Sequence, residues 1–302
     1  MKFFRAQALL TDIVIVILCI TLVVRANEME CTFFQNGDPP QYTCLVIDSK
    51  ISKNDLVTIS GEHIEGKNDS DVDFLTFRDS SVEKFPNGCF KKFPNIDSVA
   101  VFKSLLSEVV QENFKGATKL EVFFARSNNI VRLQEETFIE ALNLEELNLG
   151  GNKLMFIHEN AFKKLTELET LLLDQNWLKF LNSATFEDLV SLKKIHLDKN
   201  MIVSIPEGLF RNNLMLETIL LEQNHIHTIF SDSFKNLKRL TSLDLTYNGC
   251  INIEFGDGED MTALSAVKNE IKNCTIDKML EAKFDSCTLK LKYKKLLHAK
   301  VL

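Results

Sequence analysis

The apolar positions in the central part of the chain repeat with a period of 24 residues. Three columns keep this period without a slip. The asparagine column comprises Asn128, Asn152, Asn176, Asn200, Asn224 and Asn248. The phenylalanine column comprises Phe90, Phe114, Phe138, Phe162, Phe186, Phe210 and Phe234. The leucine column comprises Ile96, Leu120, Leu144, Leu168, Leu192, Leu216 and Leu240. A fixed period of this length indicates a solenoid, in which each repeat forms one coil.

Each repeat contains a Leu-x-Leu pair that predicts a short strand, as in Leu147-Asn-Leu149. Both leucines point inward, because alternate residues of a strand share a face. Asn152 lies where the chain leaves this strand, and its amide can satisfy buried backbone groups there. The phenylalanines are expected to stack as a spine on the far side of the coils, and stability comes from the stacking of neighbouring coils.

Eight coils are predicted over residues 72–248, with a parallel sheet along the concave face. They begin near Leu75, Val99, Phe123, Leu147, Leu171, Ile195, Ile219 and Leu243. Ser80 and Ser104 take the place of asparagine in the first two coils, so we expect that end to be less regular. The expected fold class is an α/β horseshoe-shaped solenoid.

The N-terminus is typical of a secretory signal, which we assign to residues 1–26. Lys2 and Arg5 precede an apolar run over residues 13–24, and Ala26 ends a possible cleavage site. The run is shorter than the roughly 18 residues that span a bilayer. Asp12 keeps an uncleaved signal anchor open as the alternative. The interpretation is a protein secreted into an extracellular, haemolymph-like fluid, with no membrane span.

Composition and motifs argue against several classes of function. Hydrophobic residues make up 45% of the chain, enough for a sizeable core. The 35 Lys and Arg against 42 Asp and Glu give a net charge of −7, which argues against nucleic-acid binding. The sequence contains no HExxH, GxSxG or P-loop motif. His225 and His227 flank a core Ile226, so solvent-facing side chains are favoured over a metal pair. We therefore expect no enzymatic activity, no cofactor and no metal.

The cysteines predict a cap at each end of the solenoid. Cys31 and Cys44 flank a Gly-Asp-Pro-Pro turn, which favours a disulfide-closed hairpin within an N-terminal cap over residues 27–71. Cys250 and Cys274 are the preferred pair of a C-terminal cap over residues 249–288. Residues 289–302 form a basic tail, read as flexible, with weak attraction to an acidic partner or membrane surface as the alternative.

Cys89 and Cys287 are left over from these pairings. Coils stack about 4.8 Å apart, so the two lie on the order of 30 Å from each other, too far for a disulfide. Either both are free thiols, or Cys287 links two chains into an oligomer while Cys89 is buried. Asn68 and Asn273 begin N-glycosylation sequons.

The outward residues of the concave strands are the binding candidates. They are Arg78, Phe102, Phe124, Arg126, Leu172, Asp174, His196, Asp198, Leu220 and Glu222. Asp174, Asp198 and Glu222 form an acidic column, which either serves a basic partner or is neutralised by Lys194, Lys199 and His196. Phe102 and Phe124 are either contact anchors or cover one another. Trp177 is expected at the rim.

The pattern LxxLxLxxNxL, the two-cysteine hairpin before it and the Asn248-Gly-Cys250 cap opening resemble secreted insect leucine-rich-repeat proteins, including the mosquito immune proteins. The resemblance covers roughly residues 72–255 for the repeats. It implies recognition in innate immunity, with an extracellular protein or microbial surface as ligand. Some members of that family join to one another through disulfides and coiled coils, and hold a complement-like thioester protein. The long coiled coil is absent here, since about 15 residues follow Cys287. The alternative is an adhesion or guidance module that binds a cell-surface receptor.

Overall fold

The computed structural model describes residues 26–37, 40–53, 55–230, 233–234, 236–249 and 252–254. Several sequence predictions fall outside these residues. They are the signal peptide, the cysteines Cys250, Cys274 and Cys287, the sequon at Asn273, most of the C-terminal cap and the basic tail.

The eight predicted repeat strands form one continuous parallel sheet, which delimits seven complete turns of a solenoid. In chain order they are β5 (Phe74–Arg78), β7 (Ser98–Val101), β8 (Val122–Phe124), β10 (Glu146–Asn148), β12 (Thr170–Leu172), β13 (Lys194–His196), β15 (Thr218–Leu220) and β17 (Ser242–Asp244). Leu147 lies opposite Phe123 on one side and Leu171 on the other. The 24-residue period therefore sets the register, and the solenoid prediction is confirmed.

The asparagines form a buried ladder along the stack. Asn152 accepts a hydrogen bond from the Ile130 N–H (3.0 Å) and donates to the carbonyls of Ala125 (2.9 Å) and Leu149 (3.0 Å). Each asparagine thus satisfies buried backbone groups, as the sequence predicted, and it also joins its own turn to the preceding coil. The same bonds recur at Asn176, Asn200, Asn224 and Asn248.

In the first two coils, serine makes some of the backbone hydrogen bonds that asparagine makes in the others. The Ser80 and Ser104 hydroxyls are buried and donate to the carbonyls of Arg78 (2.9 Å) and Phe102 (2.8 Å), two residues before each serine. These bonds close the turn, but they lie within one coil. Ser80 additionally accepts from the Ser49 N–H of the cap (3.2 Å).

The phenylalanine spine is also present. Successive rings from Phe90 to Phe234 have centroid distances between 4.8 and 6.3 Å, and all seven are almost fully buried. Stacked rings on one side and inward leucines on the other fill each coil, so a coil buries its apolar residues only against its neighbours.

The remaining elements are short. The flank strands are β3 (Lys50–Ile51), β6 (Ser81–Val82), β9 (Arg132–Leu133), β11 (Phe156–Ile157), β14 (Ser204–Ile205), β16 (Thr228–Phe230) and β18 (Asn252–Glu254). In the part of the chain that is described, helix is confined to α1 (Cys89–Lys92) and two 3₁₀ turns, Asp69–Asp71 and Gln111–Phe114. The far side of the coils is therefore built of turns, and the solenoid is mostly β.

The residue before each asparagine, or before the serine that replaces it in the first two coils, adopts a left-handed conformation. The residues concerned are Asp79, Lys103, Ser127, Gly151, Gln175, Lys199, Gln223 and Tyr247, with φ between 48° and 65°. Only one of them is glycine, and a non-glycine residue in this region costs about 1–3 kcal/mol. A hydrogen bond to the next coil offsets that cost, as from the Gln175 N–H to the Asp198 carbonyl (2.9 Å).

The N-terminal cap extends the same sheet. It contributes β1 (Ala26–Asn36), β2 (Gln41–Ile47) and β4 (Leu56–Ser60). The β1–β2 hairpin is closed by the predicted Cys31–Cys44 disulfide, with Cα atoms 5.1 Å apart, and β2 pairs in parallel with the first repeat strand. The hairpin therefore covers the open end of the core. No helix within the described ranges is both long and apolar enough to cross a membrane.

Candidate functional site: the concave face

The outward side chains of the concave strands fall into straight rows across the coils. One row follows the first inward position of each strand and runs through Phe124, Asn148, Leu172, His196, Leu220 and Asp244, which pair in register. A second row lies two residues further along each coil and runs through Arg78, Phe102, Arg126, Gly150, Asp174, Asp198 and Glu222. The ten candidates predicted from the sequence all lie in these two rows.

The centre of the second row is neutralised by one ion pair. Arg126 reaches over a whole coil and binds Asp174 with two hydrogen bonds, Nη1 to Oδ1 (3.0 Å) and Nη2 to Oδ2 (2.8 Å). Gly150 lies between them, and a Cβ atom there would meet both the Arg126 guanidinium and the Asp174 carboxylate. The missing side chain of Gly150 is what allows the contact.

This pair sets the charge state of Asp174. Burial acts to raise the pKa of Asp174, but the hydrogen bonds and charge of Arg126 outweigh it, and the pKa lies below its ordinary value of 3.8. The hydrogen bonds that Arg126 donates to Asp174 raise the pKa of Arg126 in turn. Asp174 is therefore a satisfied carboxylate, and its partner is Arg126 rather than Lys194, Lys199 or His196.

The C-terminal end of the concave face is acidic. Asp198 is 6% exposed, and its Oδ1 is buried without a hydrogen-bond partner among the described residues. The Lys199 ammonium lies 3.7 Å from the other oxygen, Oδ2. This is long for an ion pair, so the negative charge of Asp198 is only partly balanced.

Glu222 and Asp244 form a carboxyl pair at the same end. Their mutual hydrogen bond, followed by burial and the charge of Asp244, raises the pKa of Glu222 above its ordinary value of 4.5. Burial acts to raise the pKa of Asp244, but the Thr246 backbone N–H (2.8 Å) and the bond with Glu222 outweigh it and lower the pKa. Two carboxyl groups thus share a site and compete to ionise.

His196 lies among these acids. It is half-buried, and its Nε2 has no hydrogen-bond partner in the described part of the chain. Burial and then the charge of Lys194 lower the pKa of His196 below 6.5, so the ring is neutral at about pH 7. The neutral imidazole therefore adds no positive charge that would offset the neighbouring carboxylates.

The N-terminal end is aromatic instead. Phe102 is 44% exposed, Phe124 is partly exposed, and their ring centroids lie 6.1 Å apart. The rings therefore touch, yet one of them still presents nearly half its surface to solvent. Arg78 is exposed in the neighbouring coil.

The sequence missed two members of the site. Asp244 belongs to the first row, whereas the acidic column predicted from the sequence belongs to the second. Its signal in the sequence is its diagonal position beside Glu222 of the preceding coil. Gly150 was passed over because it carries no side chain. The order Arg126, Gly150, Asp174 in one row was the available signal.

Other sequence predictions can also be placed. Cys89 is a buried free thiol that donates to the Pro86 carbonyl (3.3 Å), and burial raises its pKa to about 12. Asn68 is exposed and caps a 3₁₀ turn through its side-chain oxygen. His225 and His227 are exposed on either side of the buried Ile226, as predicted. Within the described ranges, no group of three or more His, Cys, Asp or Glu residues could hold a metal ion.

Comparison with known proteins places these features in a family. A model of the BspA-type leucine-rich-repeat region matches in six copies, over residues 49–144 and 132–255. No curated protein matches the chain.

Several solved structures are similar to the chain at low sequence identity. A TLR13 chain in complex with ssRNA13 is 22% identical, over 65% of this chain and 27% of that one, with a TM-score of 0.56. A chain of the LRIM1/APL1C complex is 17% identical, over 76% of this chain and 52% of that one (TM-score 0.48). An internalin from Listeria monocytogenes is 20% identical, over 66% and 52% (TM-score 0.49). The match spans about half or less of each of these proteins.

The matched segments together cover more than half of the sequence and coincide with the coils described above. The chain belongs to the family of leucine-rich-repeat proteins.

Proposed function

We propose that this chain is a secreted, non-enzymatic recognition protein that binds a protein or a microbial surface through its concave sheet. The observation that carries the proposal is the division of one continuous face into an aromatic end and an acidic end. Phe102 and Phe124 lie at the first, Asp198, Glu222 and Asp244 at the second. The family supports a binding role, since leucine-rich-repeat proteins are in general binding modules.

The two ends supply different parts of recognition. An exposed aromatic pair buries a large apolar area on contact and is a good anchor. Carboxylates that are only partly balanced attract a basic ligand and fix its direction along the face. The Arg126–Asp174 pair separates the two ends and presents no net charge. A ligand with an apolar segment followed by cationic groups matches this order.

The role in innate immunity rests on the sequence resemblance to mosquito-type immune proteins. The same resemblance supports a complement-like thioester protein as a partner.

We further propose a disulfide-linked oligomer through Cys287. Secreted protein that migrates as a dimer without reductant and as a monomer with it supports this link. A monomer under both conditions, or a dimer that persists in Cys287→Ser, contradicts it.

The test is affinity capture from the extracellular fluid of the source organism. The wild-type chain is compared with a Phe102→Ala, Phe124→Ala variant and with a Leu142→Ala, Leu214→Ala control, whose leucines are exposed outside the concave rows. We expect at least one partner that the control retains and the aromatic variant loses. An identical set of partners for all three overturns the proposed surface. Specific capture of a cell-surface receptor points instead to an adhesion module.

A further inference from the structure

A cluster of exposed apolar side chains lies on the flank of the solenoid, outside the concave rows. We call it the flank patch. Its members are Met155 (55% exposed), Phe156 (52%), Trp177 (46%), Phe180 (65%) and Met201 (46%). Single exposed apolar residues are normal on a protein surface, but a group of this size in one place is not.

The backbone shows that these residues are neighbours. The Trp177 N–H donates to the Leu154 carbonyl (2.9 Å), and the Met201 N–H donates to the Leu178 carbonyl (2.9 Å). Trp177 and Met201 are thus equivalent positions of adjacent coils. Phe156 and Phe180 are likewise separated by one 24-residue period, just past the asparagine turn. The five side chains form one surface across three consecutive coils.

The size of the patch is that of an interface centre. Aromatic side chains present about 150–250 Å² each. Five large side chains at about half exposure therefore leave on the order of 500 Å² of apolar surface, near the upper end of what a monomer exposes. A standard interface buries roughly 800 Å² on each partner. The patch with a polar rim reaches that area.

Three cationic side chains lie within the segments that carry the patch. Arg132, Lys153 and Lys179 are exposed, and none of them forms an ion pair with the described residues. The segments that carry the patch, residues 129–133, 153–157, 177–181 and 201–205, contain no Asp or Glu, although acidic residues outnumber basic ones in the chain, 42 to 35. The Lys179 ammonium lies 5.3 Å from the centroid of the Phe180 ring, so cation and apolar surface are contiguous.

This charge pattern indicates which kind of partner binds the flank patch. A second copy related by a two-fold axis would place three cations against three cations, which is unfavourable at a desolvated contact. A partner with carboxylates beside an apolar surface pairs all three cations of the flank patch. Trp and Arg are the residue types most often found to anchor such contacts.

We propose that the flank patch is a second interaction surface, and that it binds a protein partner whose apolar contact area is bordered by carboxylates. Trp177 and Phe180 are the anchors, and Arg132, Lys153 and Lys179 supply the charges that select an acidic partner. The concave face is then free to hold its own ligand at the same time.

The probe is a displayed library of random 12-residue peptides, selected on the immobilised full chain. Selected peptides are expected to combine aromatic or aliphatic residues with Asp or Glu. The dissociation constant of one such peptide should rise at least tenfold in Trp177→Ser, Phe180→Ser and also in Lys153→Glu, Lys179→Glu. It should be unchanged in Leu142→Ser, Leu214→Ser and in Phe102→Ala, Phe124→Ala. The charge-reversal variant leaves the apolar residues intact and so separates loss of binding from loss of folding.

Three outcomes overturn the proposal. One is a selection that yields no peptide dependent on Trp177 and Phe180. Another is a concentration-dependent dimer in sedimentation that these substitutions abolish, since the occupant is then a second copy. The third is binding to vesicles of phosphatidylcholine and phosphatidylserine (3:1) with the same dependence on Trp177 and Lys153 but no peptide binding. The surface would then be one for anionic membranes.

Discussion

Arg126 and Asp174 are joined by two hydrogen bonds of 3.0 and 2.8 Å although they lie two coils apart. The pair spans the concave face at its centre, and the backbone of Gly150 passes beneath it. It ties three coils together on a surface where the strands are only three residues long. The pair therefore stabilises the part of the sheet that separates the aromatic end from the acidic end.

Arg126→Ala is expected to lower the free energy of unfolding by about 2 kcal/mol, because it leaves the buried Asp174 carboxylate without its cation and with only the Gln175 amide as a hydrogen-bond donor (2.9 Å). A double-mutant cycle with Asp174→Asn, measured by urea denaturation, should give a coupling of similar size. Since the folded pKa of Asp174 is lowered, this contribution is present above about pH 4 and is lost as the pH falls through the folded value.

The control is Lys163→Ala. Lys163 bonds Glu136 at 2.6 Å, but both side chains are over a third exposed, so its loss should leave the free energy of unfolding almost unchanged. Equal costs for the two substitutions would contradict a special role for the central pair.

Gly150→Ala is expected to destabilise the protein by about 1–2 kcal/mol, because the added methyl group displaces the guanidinium and the carboxylate. In an Arg126→Ala background most of this cost should vanish. The matched control is Gly249→Ala, where a Cβ atom meets nothing within 4 Å and the expected change is below about 0.5 kcal/mol. If Gly150→Ala costs the same free energy of unfolding in the wild type and in the Arg126→Ala background, the strain lies elsewhere in the backbone.

Asn176→Ala is expected to cost about 3 kcal/mol. It leaves the buried Leu154 N–H (2.9 Å) without a partner. It also removes one of the two asparagine donors from each of the carbonyls of Leu149 (2.9 Å) and Leu173 (3.1 Å), which keep Asn152 and Asn200. Asn176→Ser should cost less, since serine fills this position in the first two coils. Thermal unfolding of both variants, with the exposed Asn182→Ala as control, measures the difference. An equal cost for Asn176 and Asn182 would refute the ladder as a source of stability.

Glu222→Gln is expected to raise the free energy of unfolding by about 0.5 kcal/mol at about pH 7 and to change it little at about pH 4. The sign follows from the raised pKa of Glu222: the stability of the protonated pair is present below about 4.5 and is lost as the pH rises through the folded value. Glutamine keeps a hydrogen-bond donor toward Asp244 without the second charge. Melting temperatures at the two pH values, with the exposed Glu217→Gln as control, test this. An equal shift of the melting temperature at both pH values would disprove a proton shared between Glu222 and Asp244.

The coils could be predicted from the sequence, because each column of equivalent residues meets the same structural need in every coil. Asn152 and its equivalents must satisfy three buried backbone groups, and the phenylalanines must fill the same space in every coil. The 24-residue period therefore sets which residues are opposite each other, and the Cys31–Cys44 hairpin follows from its short loop.

The details of the site were harder to predict because they depend on side-chain reach. Arg126 contacts Asp174 only because Gly150 leaves room, and Glu222 finds Asp244 across a diagonal. Neither contact lies between adjacent members of one column. The flank patch escaped the pattern for another reason. The positions of Trp177 and Phe180 are apolar in one neighbouring coil, at Met201 and Phe156, but polar in others, so no column is apolar throughout.

The claim that the concave sheet is the binding surface is tested most directly by carbene footprinting of the full chain with a partner captured as above. The account predicts that labelling falls at Phe102 and Phe124 and at the acidic end around Glu222, while Leu142, Val190 and Leu214 on the opposite side are labelled as before. Protection limited to those three residues, with the concave rows unchanged, would contradict it.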